Sequence, residues 1–306
     1  MAGDANYNSV SLLLHCDGSN GSTTFTDSST TPKTVTASGG AQISTSQSKF
    51  GGASALFDGN GDYLSVTYNS ALSLISGDFT IEAFIYVNAT TAGSMSVLSK
   101  DGVAGTSYSQ YALQVTSAGK LSAFLGNGNG VSPTGTNYTG ATTITTGAWH
   151  HVAIVKTGST FKGFLDGTEE WSSSAATMYE GSKALVIGYE TGQPSTTYFN
   201  GRIDELRITK GVARYTGNFT PPAAAFPDRP PQVSGNVKDA SGANAARTVR
   251  AYRRDTGALA GSTTSNGTTG NYTINCATLD EVTVIALDNA TSGTYYNDQA
   301  ARVIPA

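Results

Sequence analysis

The run Phe199-Asn-Gly-Arg-Ile-Asp-Glu-Leu-Arg-Ile-Thr-Lys-Gly-Val-Ala-Arg-Tyr-Thr-Gly-Asn-Phe-Thr-Pro-Pro-Ala-Ala-Ala-Phe226 decides how the chain is read. It opens as a strand and closes on a proline-marked exit. Ile203, Leu206 and Ile208 are apolar among charged neighbours, the mark of a half-buried strand. Asp204 and Glu205 sit inside it, an unusual place for two acids. Neighbours on a strand point to opposite faces, so these carboxylates are not expected to act as a pair. The segment ends one domain and hands the chain to a second.

The sequence before it is built from short strands. Phe79-Thr-Ile-Glu-Ala-Phe-Ile-Tyr-Val87 alternates, with Phe79, Ile81, Ala83, Ile85 and Val87 on one face. The other face, with Glu82, Phe84 and Tyr86, is not simply polar and suggests a second layer or a groove. Val10–Cys16, Met95–Lys100, Gln110–Thr116, Lys120–Gly126, Trp149–Val155 and Ala184–Gly188 read as further strands. Ser54–Asp58 and Tyr63–Tyr68, joined by Gly59-Asn-Gly-Asp62, read as a hairpin. Thr160–Leu165 and Thr168–Trp171, joined by Asp166-Gly167, read as a hairpin with a type I′ turn. Residues 126–138 are Gly- and Asn-rich without periodicity and read as a loop. No amphipathic helix is evident, and a two-sheet sandwich follows.

Composition agrees. Only 13% of the 306 residues are charged, 36 are glycine, and the apolar 38% can build a core. The length suits roughly two domains. Pro221, Pro222, Pro227, Pro230 and Pro231 crowd one short segment, so a stiff linker is expected over 221–232. It divides a domain over 1–220 from a smaller β-sandwich over 233–306, with strands at Val233–Lys238, Thr248–Arg254, Tyr272–Cys276 and Val282–Leu287. Lys and Arg number eleven against fifteen Asp and Glu over residues 1–227, and seven against seven over 228–306. Neither half is basic, so nucleic acid is not an expected partner. No apolar run is long enough to span a membrane, and Met1–Asn6 has no secretory pattern. Cys16 and Cys276 fall in different domains and read as buried small hydrophobes.

Four patches carry a family resemblance: Leu12-Leu-Leu-His-Cys-Asp-Gly-Ser19, Phe57-Asp-Gly-Asn-Gly-Asp-Tyr-Leu64, Gly77-Asp-Phe-Thr-Ile-Glu-Ala-Phe84 and Ile203-Asp-Glu-Leu-Arg-Ile-Thr-Lys-Gly-Val-Ala-Arg-Tyr215. Trp149-His-His-Val-Ala153 joins them. Over residues 9–227 the chain resembles the laminin-G-like, concanavalin A-like jelly-roll domains of phage structural proteins. Val233-Ser-Gly-Asn-Val-Lys-Asp239 and Gly270-Asn-Tyr-Thr-Ile274 resemble the transthyretin-like (carboxypeptidase-regulatory-like) modules, a transthyretin/Ig-like sandwich. The resemblance implies a virion surface component, made in the host cytoplasm, that contacts other virion proteins and adheres to a bacterial surface polysaccharide. A homo-oligomer fits that setting, although no heptads mark one. The alternative is a purely structural decoration or assembly protein that contacts only other virion proteins. A lectin-like bacterial adhesin is disfavoured by the N-terminus.

The family also implies where chemistry would lie. Similar domains hold one structural calcium ion where the first and last strands meet, and Asp17 and Asp204 match those positions; otherwise Asp17 caps a turn and Asp204 accepts backbone hydrogen bonds. Similar glucanases carry a Glu-x-Asp-x-x-Glu strand, which is absent here, as is the sialidase box, so catalysis is not expected. His15, His150 and His151 have no serine elbow beside them. Trp149 resembles a core residue of the family. For sugar contact the expected residues are Asn127, Asn129, Asn137, Tyr138 and Tyr108, with the 126–138 loop as the centre. Trp171, Tyr111, Tyr189 and Tyr198 also lie in or near loops. Arg250, Tyr252 and Arg254 share one strand face, which reads as a solvated surface or as a contact for an acidic partner.

Overall fold

The computed structural model describes residues 3–101, 109–126, 135–175, 178, 181–190, 198–239, 241–287 and 301–305. The chain divides into two compact units, Ser9–Phe226 and Met1–Asn8 with Pro227–Ala306. In chain order the strands of the larger unit are β1 (Val10–Leu14), β2 (Val35–Ser38), β3 (Gln42–Ser44), β4 (Ser54–Asp58), β5 (Tyr63–Val66), β6 (Phe79–Val87), β7 (Met95–Asp101) and β8 (Ser109–Val115). Then follow β9 (Lys120–Gly126), β10 (Gly135–Thr143), β11 (Trp149–Thr157), β12 (Thr160–Leu165), β13 (Thr168–Ser174), β14 (Leu185–Ile187) and β15 (Asn200–Lys210).

They form two antiparallel sheets. Sheet A runs β13-β12-β11-β6-β15-β4-β3, with β1 also paired to β15. Sheet B runs β10-β9-β8-β7-β14-β5-β2. The alternating residues of β6, from Phe79 to Val87, pack inward against Leu64, Leu98, Leu113 and Ala123 of sheet B. Each of the larger ones, Phe79, Ile81, Ile85 and Val87, contributes about 1.5–3 kcal/mol by leaving water. The chain crosses between the sheets repeatedly from β1 to β7 and again after β10 and β13, while β7–β10 run as a meander in sheet B and β11–β13 as one in sheet A; the two-layer order is the jelly-roll sandwich the family resemblance implies.

Two strand expectations change. β4 and β5 are not a hairpin: β4 pairs with β15 and β3, whereas β5 pairs with β14 and β2. Gly59–Asp62 is a corner that carries the chain from one sheet to the other. The Asp62 carboxylate holds this corner, accepting from the Asp58 and Gly40 amides. β10 occupies part of the expected loop. Its Gly-Thr-Asn-Tyr-Thr-Gly-Ala-Thr-Thr sequence is polar because it is an edge strand with only Tyr138 and Gly140 buried. The Asp166-Gly167 turn is as expected, with φ of 49° and 77° and Leu165 opposite Thr168.

β15 solves the problem of two consecutive acids. Its pairing with β6 slips between Asp204 and Arg207, and Glu205 has φ 51°. The bulge keeps Ile203, Leu206 and Ile208 in the core. It also turns Asp204 and Glu205 to the same, outer side, which corrects the expectation that they oppose each other. Regular alternation would have put one carboxylate into the apolar core.

Beyond β15 the chain lies across the outer face of sheet A. Ala213, Tyr215 and Phe219 pack on Ala153, Val155 and Phe164. Phe226 sits 3.8 Å above the Arg207 guanidinium and against the Phe84 ring. The proline-marked exit thus belongs to the larger unit as far as Phe226.

The smaller unit contains β16 (Gln232–Asn236), β17 (Thr248–Arg253), β18 (Leu259–Thr264), β19 (Asn271–Asn275), β20 (Val282–Leu287) and β21 (Ala301–Val303). A two-stranded sheet, β16-β19, and a four-stranded sheet, β18-β17-β20-β21, enclose Val233, Val249, Ala251, Ile274, Cys276, Val282 and Val284. The N-terminal residues pack in this unit through the Asp4 amide, which donates to the Arg229 carbonyl over 2.9 Å.

Candidate functional site

Three groups of polar side chains stand out in the larger unit. The first lies around the β15 bulge. Asp204 is fully buried. One of its oxygens, Oδ2, accepts from the Lys49 and Phe50 amides over 2.7 and 3.1 Å. The other, Oδ1, is buried with no hydrogen-bond partner. Burial pushes the Asp204 carboxyl up to about 7, with Glu205 and Asp17 adding to the rise. Partial burial and Glu205 also raise Asp17. Asp17 lies directly against Gly51, where a Cβ would meet its carboxylate at 2.0 Å. Glu205 is already satisfied, by His15 Nδ1 over 2.9 Å and by the Phe226 amide over 2.8 Å.

Asp17 and Glu205 lie near enough to Asp204 for their charges to add to the rise of its carboxyl. Among the described residues no three His, Cys, Asp and Glu side chains are grouped to hold a metal ion. The orphaned buried oxygen and the raised carboxyls do suit a hard cation that draws its remaining ligands from backbone carbonyls.

The second group is on the outer face of sheet A. Burial would raise the Glu82 carboxyl, but Arg207 and His151 outweigh it and hold it well below the usual carboxylate range. Glu82 accepts from Arg207 Nη2 at 2.8 Å, from Tyr215 Oη at 2.7 Å and from His151 Nε2 at 3.2 Å. Glu82 is thus the shared acceptor that ties β6, β11, β15 and the chain after β15 together on this face. Trp149 faces this outer side, half-buried against Tyr86 at 5.6 Å, and is not in the core as expected. The reason is parity: Val152 and Ile154 point inward, so 149, 151 and 153 point outward.

The third group is on the outer face of sheet B. The register aligns one row across it: Asn137, Phe124, Ala112, Ser99, Val186, Ser65 and Thr36. The middle of the row is small. At one side Tyr63, Tyr189 and Tyr198 form a half-buried aromatic wall. Tyr189 and Tyr198 stack at 4.1 Å with 13° between planes, and Tyr63 leans on Tyr189 at 5.9 Å. Gly188 creates this wall. It has φ +86°, and a Cβ there would meet the Phe57 ring at 2.7 Å. Past it the chain crosses the face, where the Tyr189 carbonyl accepts from Ser99 Oγ over 3.1 Å. The next residue, Glu190, is 6% exposed and accepts from Gln114 Nε2 over 2.6 Å.

Of the expected sugar contacts, Asn137 is exposed on this row, beside Phe124. Tyr138 is not available. It is buried against Phe161 and Trp171, and its hydroxyl donates to the Ser174 carbonyl over 3.0 Å. Tyr111 is likewise buried, donating to the Leu72 carbonyl over 2.8 Å. Asn127, Asn129 and Tyr108 lie outside the described residues. The Gln114–Glu190 pair was missed in the sequence because the two are far apart along it. Gln114 alternates correctly on its strand, which was the one signal present.

Two antiparallel sheets in jelly-roll order, one with an aromatic and polar outer face, define a lectin-type β-sandwich. Residues 58–214 match the family described as the concanavalin A-like lectin/glucanases superfamily, and the chain belongs to it. No curated protein sequence matches the chain. Among solved structures, the binding domain of Paraclostridial Mosquitocidal Protein 1 is similar at TM-score 0.53 and 13% identity, over 97% of this chain and 76% of that one. A structure of botulinum neurotoxin type C is similar at TM-score 0.50 and 12% identity, over 96% of this chain and 69% of that one. At these identities the likeness concerns the fold.

Proposed function

We propose that the larger unit is a non-enzymatic glycan-binding module whose ligand lies on the outer face of sheet B. The observation that carries this reading is the Tyr63–Tyr189–Tyr198 wall beside the Gln114–Glu190 pair. Aromatic rings offer flat apolar surfaces to the C–H faces of a sugar, and an amide with a carboxylate offers donors and acceptors to its hydroxyls. The small residues between wall and Phe124 leave the backbone close to the surface, where a flat ring can lie. The reading agrees with what is said of the two similar folds: one is a binding domain, and the other belongs to a toxin whose cell entry depends on interaction with two ganglioside molecules.

In the fuller reading the protein is a phage virion surface component, with the smaller transthyretin-like unit joining it to other virion proteins. The four sequence patches of the larger unit support that placement. One calcium ion, held by Asp17 and Asp204, would tie the first strand to the last and neutralise the orphaned carboxylate.

Binding of the labelled full chain to a panel of bacterial surface polysaccharides tests the reading. Saturable binding that Tyr189→Ala and Tyr198→Ala weaken about tenfold or more supports it, since loss of one stacking residue typically exceeds 1 kcal/mol at a binding hot spot. Absence of binding, or binding indifferent to both substitutions, overturns it in favour of a decoration protein.

A further inference from the structure

We infer that this face takes an uncharged glycan, and that Glu190 is the residue that rejects acidic sugars. The inference rests on the glycan-binding reading and names its ligand class. Glu190 is held on the face, not at its edge. It is nearly buried, its carboxylate is fixed by Gln114 at 2.6 Å, and the Tyr189 carbonyl before it is fixed by Ser99. A sugar resting on the tyrosine wall reaches toward this carboxylate. A hydroxyl can donate to it, whereas a sugar carboxylate can only repel it.

The positive charges of the neighbouring strands, with the exception of Lys120, are turned elsewhere. Lys100 belongs to β7 but follows the inward parity of Leu98. Its ammonium donates to the Gly181 carbonyl over 2.7 Å and lies 5.2 Å from the Tyr68 ring. Arg207 and Arg214 are paired with Glu82 on the other sheet. Lys120, at the start of β9, is the one cation among the described outward-facing residues of sheet B; its strand neighbour Ser122 stands opposite Gln114, so Lys120 is a diagonal neighbour of Gln114 and a single flexible ammonium near the pair. The larger unit also carries an excess of acids, with Asp and Glu outnumbering Lys and Arg over residues 1–227. An anionic ligand would therefore meet Glu190 with no arginine to clamp its carboxylate.

The test uses the full chain. Affinity is measured for neutral glucans, galactans, mannans and arabinans, and for hyaluronate, polysialate and polygalacturonate. Whichever neutral polymer binds is then carboxymethylated and measured again. The expected result is binding within the neutral set, a loss of about tenfold or more on carboxymethylation, and insensitivity to salt. Glu190→Gln, which keeps the shape and the partner, should recover most of that loss, and Lys120→Ala, which removes the one described cation near the pair, should deepen it. Tyr189-dependent binding of the acidic polymers that equals or exceeds the neutral set, and falls with salt, overturns this inference alone. An unchanged ratio in a folded Glu190→Gln also overturns it. If no polymer binds, or if binding ignores Tyr189→Ala, the glycan reading itself fails and this inference with it.

Discussion

Asp204→Asn should have an effect whose sign depends on pH. The wild-type carboxyl sits at about 7 in the folded chain, against 3.8 for an unhindered aspartate. An acid whose folded value is raised binds its proton more tightly folded than unfolded. Stability is therefore lost as pH rises from 3.8 toward 7. At about 1.36 kcal/mol per pK unit, the gap amounts to about 4 kcal/mol above neutrality. Asparagine keeps a carbonyl for the Lys49 and Phe50 amides and places an uncharged amide where Oδ1 has no partner. That amide nitrogen needs an acceptor of its own, which costs about 1–3 kcal/mol at every pH. The offset is constant, whereas the charge penalty is not. Urea denaturation of both proteins in chelator, from about pH 4 to about pH 8, should show Asp204→Asn gaining about 4 kcal/mol relative to wild type across that range. Calcium should restore the wild type at high pH and leave the variant unmoved. A stability difference that stays flat with pH would refute the reasoning, because Asp204 would then carry no unsatisfied charge.

Glu82→Gln should destabilise the larger unit by about 3–5 kcal/mol in chemical denaturation, because Arg207 and Arg214 lose a buried counter-charge. The Glu82 carboxyl is lowered from 4.5, so its contribution is present above that pH and fades as pH falls below it. His150 presents Nδ1 to Asp166 at 2.7 Å and Nε2 to the Thr145 carbonyl at 3.1 Å, and both acceptors favour the imidazolium. The hydrogen bond to Asp166 raises its pKa above 6.5, so this stabilisation is complete below 6.5 and is lost as pH rises through the folded value; His150→Gln should remove that slope from a plot of Tm against pH. Tyr138→Phe should cost about 1 kcal/mol through the Ser174 bond and leave glycan affinity unchanged, which a titration against any bound polysaccharide checks. Gly167→Ala should cost more than about 1 kcal/mol, since its φ is +77° and a Cβ would press on the Phe219 carbonyl at 1.9 Å; a thermal melt measures it.

The strands were legible because burial of one face imposes a period of two. Phe79–Val87 shows that period, and it occupies its strand to the residue. Asp166-Gly167 was legible as a turn because positive φ at two successive positions restricts the residues allowed. Which strands pair was not written locally. Ser54–Asp58 and Tyr63–Val66 have the look of a hairpin, and the two sheets pull them apart because each buries its inner face against a different neighbour. The same holds for the acids of β15. Their presence was plain in the chain, but only the bulge, set by register against β6, turns both outward and leaves one oxygen of Asp204 unpaired. Tyr138 and Tyr189 look alike in sequence. One closes the core and the other joins an aromatic wall, because strand parity and one left-handed glycine, Gly188, decide the side on which each ring emerges. Alternation and turn chemistry are local and survive in the linear text. Sheet partnership, and with it every site made of residues far apart in the chain, exists only once the strands have met.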